Sequence, residues 1–589
     1  MMLRARRLVL SLAAMFTLLL GGAAARLVWL HTATHEMASA RQARQSVGSR
    51  VELARRGALR DRQGSVVGDS LAQIQLYVYT NSLLYDGSKR RSTETVARSV
   101  DTIANTLSGI LGLPEEELAE LLFVTAAADS PISQRIGRPV SDPELIDLLL
   151  SESEGNGLLR RVDMVPSWTR RYPWGSVAGN LLGFVNAKAE GAAGLEHGLQ
   201  GVLGSGVDGR RSYLGKVAGF SIATPDLKVI PALHGDDVVL TLDMVLQQMV
   251  EEELALGCEA AGTTKGSAVL IDAWTGDVLA MASAPSLDPN DQRTWTKERQ
   301  VFRPLQTINA PGSTFKPLML AAALDLGLVA PETKIDTHPR NARYGYRTVH
   351  DTHSVFSPAT LEEIIVESSN IGMASIMTRL VSDGRSRDIA AMKPLHDILM
   401  RLGLTQKVGM SVSGQAAGLL TRLEDWSLES TLVSVSFGYE MSLTPLQLAA
   451  AAATLSDGYY RVPRLISGTV DQYGNVLENP IAAPRPVFTR ETVDRVRGYM
   501  AVAWDDVRPG WLEAVGVPVA GKTGTIVPLA NGGREAHAFI ALAPSDAPRV
   551  ALAIVLEEPT AHRYSRASAG PLADAILARV LPYLGVEGR

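Results

Sequence analysis

The sequence predicts an α+β protein with an N-terminal membrane helix, a separate first module and a larger C-terminal domain in which helices cover an antiparallel sheet. Three observations carry this. Residues 8–25 contain no charge and are strongly apolar. The character of the chain changes near Gly235. Beyond it the order is strand, helix and hairpin, then helices, then strands, then a helix, a pattern of an α+β domain.

The apolar run comes first. At about 1.5 Å rise per residue it spans roughly 27 Å as a helix, close to the ~30 Å hydrocarbon core of a bilayer. Arg26 interrupts the run, but Leu27, Val28, Trp29 and Leu30 continue it. The anchor is therefore assigned to residues 8–30. Arg4, Arg6 and Arg7 lie in the preceding tail, residues 1–7. By the positive-inside rule they place the N-terminus in the cytoplasm and the body outside the inner membrane. A cleaved signal peptide is the alternative, with Ala23–Ala25 as its small-residue site, but the run exceeds the usual ~7–15 apolar residues. Residues 31–50 are polar and read as a stalk.

Composition bounds the rest. A chain of 589 residues needs more than one core. Hydrophobic residues are 46% and charged residues 20%, with a net charge of -5. This is globular composition without the basic stripe that nucleic acid demands. The single cysteine, Cys258, forms no intramolecular disulfide and reads as a buried thiol. The chain has only eleven lysines among 57 Lys and Arg, so a lysine inside a motif carries weight.

Residues 51–230 read as a separate module. Residues 56–65 are extended with a turn at Gln63-Gly64. Apolar spacing over 96–113 and 115–127 predicts helices in a region, 92–154, that looks helical throughout. Residues 170–206 are rich in glycine and aromatics and read as irregular but packed, with Glu196 a candidate cap or bridge. The second domain, 235–589, opens with a strand at 237–242 and a helix at 244–256 capped by Asp243. Apolar strands 268–273 and 278–283 flank the hairpin signal Trp274-Thr-Gly-Asp277. Later strands are expected at 515–520, 538–543 and 550–556, with turns at Gly532-Gly533 and 544–548. A helix follows at 570–584.

Three short motifs stand in order. Ser313-Thr-Phe-Lys316 opens a helical run, 317–326, after Pro311-Gly312. Ser368-Ser369-Asn370 lies near the end of a helical stretch, 360–370. Lys522-Thr523-Gly524-Thr525 follows the strand 515–520. Residues three apart share a helix face, so Ser313 and Lys316 can hold a hydroxyl beside an amine. A serine becomes a nucleophile when a base takes its proton. Lysine serves as that base when burial or a nearby cation lowers its pKa. Lys522 can supply the cation, Ser368 a proton relay, and Asn370 hydrogen bonds to Lys316 and a substrate amide. Thr525, on an edge strand, can pair its N–H with that of Ser313 as an oxyanion hole. Pro317 fits the first helical turn. Taken singly, each motif has an ordinary reading: a capping serine, a helix end, a β-turn. Ser313 is nevertheless the only serine with lysine three positions on. His350 and His353 around Asp351 form a short H-D-x-H with no further ligand to complete a metal set.

The ordered trio S-x-x-K, S-x-N and K-T-G resembles that of penicillin-binding proteins and class A β-lactamases. The wider chain resembles the class B penicillin-binding proteins. The resemblance rests on Arg56-Gly57 with Asp61-Arg62-x-Gly64, Gly194-Leu195-Glu196 with Leu203-Gly204, Leu240-Thr241-Leu242-Asp243, Pro311 to Lys316, Phe437-Gly438-Tyr439 with Thr444-Pro445-Leu446-Gln447, and Gly521 to Thr525. It implies a monofunctional peptidoglycan D,D-transpeptidase: a serine β-lactamase-like domain at 235–589 and a non-catalytic, dimerisation-type pedestal at 51–230. The implied substrates are D-Ala-D-Ala stem peptides, with β-lactams as inhibitors. Ser313, Lys316, Ser368 and Asn370 would be catalytic. Lys522, Thr523, Gly524 and Thr525 would bind substrate. No metal or organic cofactor is implied. Asparagine in the second motif, with Pro-Gly before the nucleophile, looks like the septal branch, which implies a SEDS-family glycosyltransferase and other division proteins as partners. Glu440 and Ala541 depart from the pattern, standing where the family usually has glycine.

Three other readings remain. An elongation-type transpeptidase shares the architecture. A D,D-carboxypeptidase or β-lactamase shares the trio but normally lacks a long pedestal. A non-catalytic division scaffold would keep the site without turnover.

Overall fold

The computed structural model describes residues 10, 12–29, 47–86, 89–128, 132–155, 159–217, 220–222, 229–345, 347–381, 388–508, 516–527 and 535–586. The tail 1–7, most of the stalk, Val515 and Gly532-Gly533 lie outside them. Among the described residues one helix, Leu12–Trp29, is long and apolar enough to cross a membrane, with mean hydropathy 1.7.

The chain forms two compact units. One comprises residues 1–55, 72–168 and 206–234; the other comprises 56–71, 169–205 and 235–589. The second unit thus draws two stretches from the region that reads in sequence as one module.

In the first unit, Thr93–Leu111 and Glu115–Ala126 are helices, as their apolar spacing predicts. Ser92 caps the former, its hydroxyl accepting from Thr95 N–H at 3.3 Å. Val100, Ile103 and Leu107 line one face and pack with Leu118 and Leu122 in a common core. The region is not helical throughout, because Ser133–Val140 is a strand. It pairs antiparallel with the end of Val66–Tyr79, matching Leu76 with Ile136 and Ile74 with Val140. A run with only Ile136 and Val140 buried is too polar to announce itself.

The second unit is organised on one antiparallel sheet. α1 (Met244–Ala261) is capped by Asp243, whose carboxylate accepts from Val245 and Leu246 N–H. The hairpin β1 (Lys265–Asp272) and β2 (Val278–Ala284) follows. Helix α2 (Lys316–Asp325), the hairpin β3 (Asn341–Tyr344) and β4 (Arg347–His350), and helices α3 (Leu361–Val366), α4 (Asn370–Met377), α5 (Pro445–Ala453) and α6 (Arg490–Val507) fill the middle of the sequence. β5 (Ala520–Ile526), β6 (Ala536–Ala543), β7 (Val550–Glu557) and α7 (Ala569–Tyr583) complete it. The strand order is β2-β1-β7-β6-β5, so β5 is an edge.

Side chains alternate across each strand. Ala268 and Leu270 face α1 and α7 with Leu254, Leu572 and Ile576. Val269 and Ile271 face the other core with α2 and α5. Both faces are covered, which explains why these strands read as unbroken apolar runs. Two sequence assignments shift. The third motif lies within β5 rather than after a strand. The second motif lies at a junction between two helices rather than at one helix's end.

Glu196 is fully buried in the second unit. Arg56 Nε and Arg170 Nε donate to its two carboxylate oxygens at 2.6 and 2.7 Å. The three buried charges tie the glycine-rich segment to residue 56, and removing one partner would strand the others.

Candidate active site

The nucleophile segment is a tight turn before α2. Gly312–Phe315 forms one 3-10 turn, and Pro317 sits in the first turn of the helix that follows. Gly312 has φ +54°, in the left-handed region. Its N–H donates to the Gly438 carbonyl at 3.0 Å. A Cβ on Gly438 would fall 2.1 Å from the Gly312 carbonyl oxygen, so only glycine permits this approach. Ser313 is half-buried and Lys316 is completely buried.

The second motif is held by a carboxylate. Ser368 takes φ +55°, which ends α3 and turns the chain. Ser369 caps α4, its hydroxyl accepting from Gly372 N–H at 2.9 Å and donating to Asp351 Oδ2 at 2.6 Å. Asp351 Oδ1 accepts from the N–H groups of Asn370 at 2.6 Å and Ile371 at 3.2 Å. A carboxylate at a helix N-terminus meets both the free N–H groups and the helix dipole. Lys316 Nζ donates to the Ser368 carbonyl and to Ser368 Oγ, the latter at 3.1 Å. The Asn370 amide donates to the His350 carbonyl at 2.9 Å instead of meeting Lys316.

The third motif approaches through a missing side chain. A Cβ on Gly524 would lie 2.9 Å from Thr314 Cγ2 and 3.1 Å from Thr314 N. The edge strand therefore rests directly on the nucleophile turn. Lys522 is buried, while Thr523 and Thr525 are half-buried. Ser565 N–H donates to Thr525 Oγ1 at 3.1 Å. Ser313, Ser368, Asn370, Lys522, Thr523 and Thr525 all line one cleft of about 720 Å³. Lys316 lies beneath it, and Gly524 contacts Thr314.

Electrostatics follow from burial. The Lys316 amine is held well below the usual lysine range, first by burial and then by the Lys522 cation, with Asp351 opposing both. Burial also lowers Lys522, to about 8. Burial and the neighbouring cation thus make Lys316 a ready proton acceptor, while Lys522, near 8, keeps most of its charge at neutral pH. Lys316 can accept a proton, and Lys522 can receive an anion.

Several residues of the site escaped sequence reasoning. Asp351 stood in view only within the H-D-x-H, whose histidines have other partners: His350 Nδ1 lies 2.7 Å from Asn341 Oδ1, and His353 Nε2 lies 2.6 Å from Glu367 Oε2. Tyr439 lines the cleft and its hydroxyl accepts from Val527 N–H at 3.3 Å. Glu440, the departure from glycine, has φ +56°. Its carboxylate accepts from Ser430, Ser434 and Arg347 at 3.1, 2.9 and 3.2 Å. Ala541 is buried directly opposite Gly521 on β6. Cys258 is buried too, its thiol pushed up to about 12, which leaves it unreactive.

A serine three residues from a buried lysine whose pKa is lowered, under an edge strand carrying a cation, defines a serine acyl-transfer enzyme. Residues 266–578 match the penicillin binding protein transpeptidase domain, and residues 51–240 match the penicillin-binding protein dimerisation domain. The chain is 28% identical over 582 residues to the probable peptidoglycan D,D-transpeptidase PenA of Neisseria meningitidis, covering 97% of this chain and 91% of that one. It is 31% identical over 427 residues to the peptidoglycan D,D-transpeptidase FtsI of Escherichia coli, covering 71% and 68%. The crystal structure of penicillin binding protein 3 from Mycobacterium tuberculosis, complexed with aztreonam, has the same fold with a TM-score of 0.65 at 24% identity, covering 92% of this chain and 98% of that one. The chain belongs to the class B penicillin-binding proteins.

Proposed function

We propose that the chain crosslinks peptidoglycan as a D,D-transpeptidase, with Ser313 as nucleophile and Lys316 as its base. The observation that carries this is the fully buried Lys316, its pKa lowered by burial and by Lys522, three residues from Ser313 and bonded to Ser368. Ser313 Oγ attacks the penultimate D-Ala carbonyl of a stem peptide while Lys316 takes its proton. The carbonyl oxygen sits between the N–H groups of Ser313 and Thr525. The C–N bond breaks, and the terminal D-Ala leaves with a proton passed from Lys316 through Ser368. A neighbouring stem peptide's amine then attacks the ester and frees Ser313. Lys522 and Thr523 hold the substrate carboxylate, and Gly524 keeps the strand close. Asn370 shapes the wall from its bond to His350.

β-Lactams acylate the same serine in this reading, consistent with the aztreonam complex of the similar mycobacterial structure. Asparagine in the second motif and the match to FtsI support a septal role, with a SEDS-family glycosyltransferase and division proteins as partners. In this reading the pedestal spans 51–230 and the transpeptidase domain 235–589, with 56–71 and 169–205 of the pedestal folding into the second compact unit. The N-terminus faces the cytoplasm and the catalytic body lies in the extracytoplasmic space.

The test is fluorescent-penicillin labelling of the full chain in detergent beside Ser313→Ala, followed over hours. Stable label lost in the variant is expected. Rapid release favours a hydrolase. No label on a folded wild-type chain sinks the assignment.

A further inference from the structure

We propose that the Glu367–His353 wall of the cleft is the acceptor subsite, taking the protonated primary amine of a neighbouring stem peptide. This rests on the transpeptidase reading of Ser313.

The chemistry sets the requirement. A primary aliphatic amine has a pKa of about 10.4 and so arrives as a cation at neutral pH. It needs an anionic wall to dock on and a proton acceptor near the ester. The cleft offers these on one side. Ser368 Oγ is the group bonded to Lys316 Nζ, so an amine surrendering a proton along that path must stand beside Ser368. Glu367 precedes Ser368 in the chain and lines the cleft with a half-exposed side chain. His353 and Thr352 line it beside Glu367, and His353 Nδ1 lies 3.0 Å from Thr352 Oγ1. The other side carries the buried Lys522, and Arg566 also lines the cleft. A cation is repelled there, whereas a donor carboxylate is attracted. Asp506 is the other acid on the lining; it is exposed near the end of α6, a helix that packs against both β5 and α3, so it adds to the negative potential between the two walls. The two substrates, one ending in a carboxylate and one in an ammonium, therefore have walls of opposite sign.

A structural role alone does not account for Glu367. Among the described residues its carboxylate bonds only the exposed His353, and such surface pairs add about 0–1 kcal/mol to stability. The step balances simply. The docked ammonium first gives one proton to water. The free amine attacks the ester, the N–C bond forms and the C–O bond to Ser313 breaks. Its second proton passes through Ser368 and Lys316 to Ser313 Oγ.

The experiment uses the full chain in detergent with an acyl-D-Ala thioester as donor. Two acceptors compete with water: Nα-acetyl-lysyl-D-alanine, which is cationic, and hydroxylamine, which is neutral at pH 7. Glu367→Gln should lower the preference for the cationic acceptor over hydroxylamine by about fivefold, the scale of a partly exposed charge contact. Glu367→Asp should restore most of it, and added salt should erase the difference between wild type and Glu367→Gln. Equal losses with both nucleophiles, or no change in the ratio, would overturn the proposal. A wild-type chain that never consumes the thioester or labels with penicillin would instead remove the transpeptidase reading beneath it.

Discussion

The second and third motifs reach the same cleft by different physical means. β5 is a strand hydrogen-bonded to β6 in continuous register from Ala520–Leu542 to Ile526–Ala536. Its position is set by seven backbone pairings, and no single side chain decides it. The Ser368-Asn370 junction has no ladder. It hangs on Asp351, which accepts three hydrogen bonds while only 5% exposed. One motif is placed by redundancy and the other by a single carboxylate, so their tolerance to substitution should differ sharply.

The largest expected effect is therefore at Asp351. Asp351→Ala leaves one hydroxyl and two N–H donors without an acceptor, and buried unsatisfied groups cost about 1–3 kcal/mol each. If most of that appears as misplacement of Ser368, acylation slows roughly a hundredfold. Fluorescent-penicillin acylation kinetics on a folded variant check it. Asp351→Asn, which keeps one acceptor oxygen, should fall between. A variant that labels at the wild-type rate would show that the junction is as redundant as the strand.

The matching break in β5 is Gly524→Ala. The added methyl meets Thr314 Cγ2 at 2.9 Å, and the Thr314 side chain can yield a few tenths of an ångström. Because seven pairings hold the strand, the expected loss in acylation is about tenfold, the lower end of overpacking costs. The same assay ranks the two variants, and Gly524→Ala slower than Asp351→Ala would invert the comparison.

The lysines sharpen it through pH. Lys316 works as a free base, so acylation falls on the acid side as it takes up a proton. Lys522 works as a cation with a pKa near 8, so acylation falls again above about pH 8 as its charge is lost. Lys522→Arg keeps the cation at high pH and should remove the alkaline fall, at a reduced maximum. Lys522→Met removes a charge that depresses Lys316, so the acid limb should move to higher pH. A pH–rate profile with unmoved limbs in both variants would detach Lys522 from these roles.

The contrast also explains what sequence reveals. The sheet was legible because helices cover both faces, which gives β1, β2, β6 and β7 long apolar runs. β5 was placed too early because Gly521 to Thr525 offers no apolar run, only residues chosen for the cleft. The helical stretch expected at 360–370 ends early, and a second helix starts at Asn370. The break comes from the left-handed Ser368 and the capping Ser369, and both depend on Asp351 arriving from a hairpin that sequence spacing does not locate. The trio itself was readable because chemistry fixes residue type and short-range spacing. The residues that position it are fixed by tertiary approach, and Asp351 and Ser565 carry no local signature.

Glu440 gives the smallest effect and the finest test of positioning by side chains. It follows Gly438, which clasps the nucleophile turn, and Tyr439, which meets Val527 at the end of β5. Its left-handed backbone costs roughly 1–2 kcal/mol for a residue with a Cβ. Its carboxylate offsets that by bonding Ser430, Ser434 and Arg347, the last on β4 just before Asp351. Glu440→Ala loses the bonds and keeps the strain, so it should lower stability by about 1–2 kcal/mol. Glu440→Gly loses both bonds and strain, and should unfold within about 1 kcal/mol of wild type. Chemical denaturation of the full chain in detergent measures both. If the glycine variant matches wild type in stability yet acylates more slowly, the ion pair with Arg347 aligns the β4 end of the cleft with the nucleophile turn. If the two variants lose stability equally, backbone strain at residue 440 is not what the carboxylate offsets.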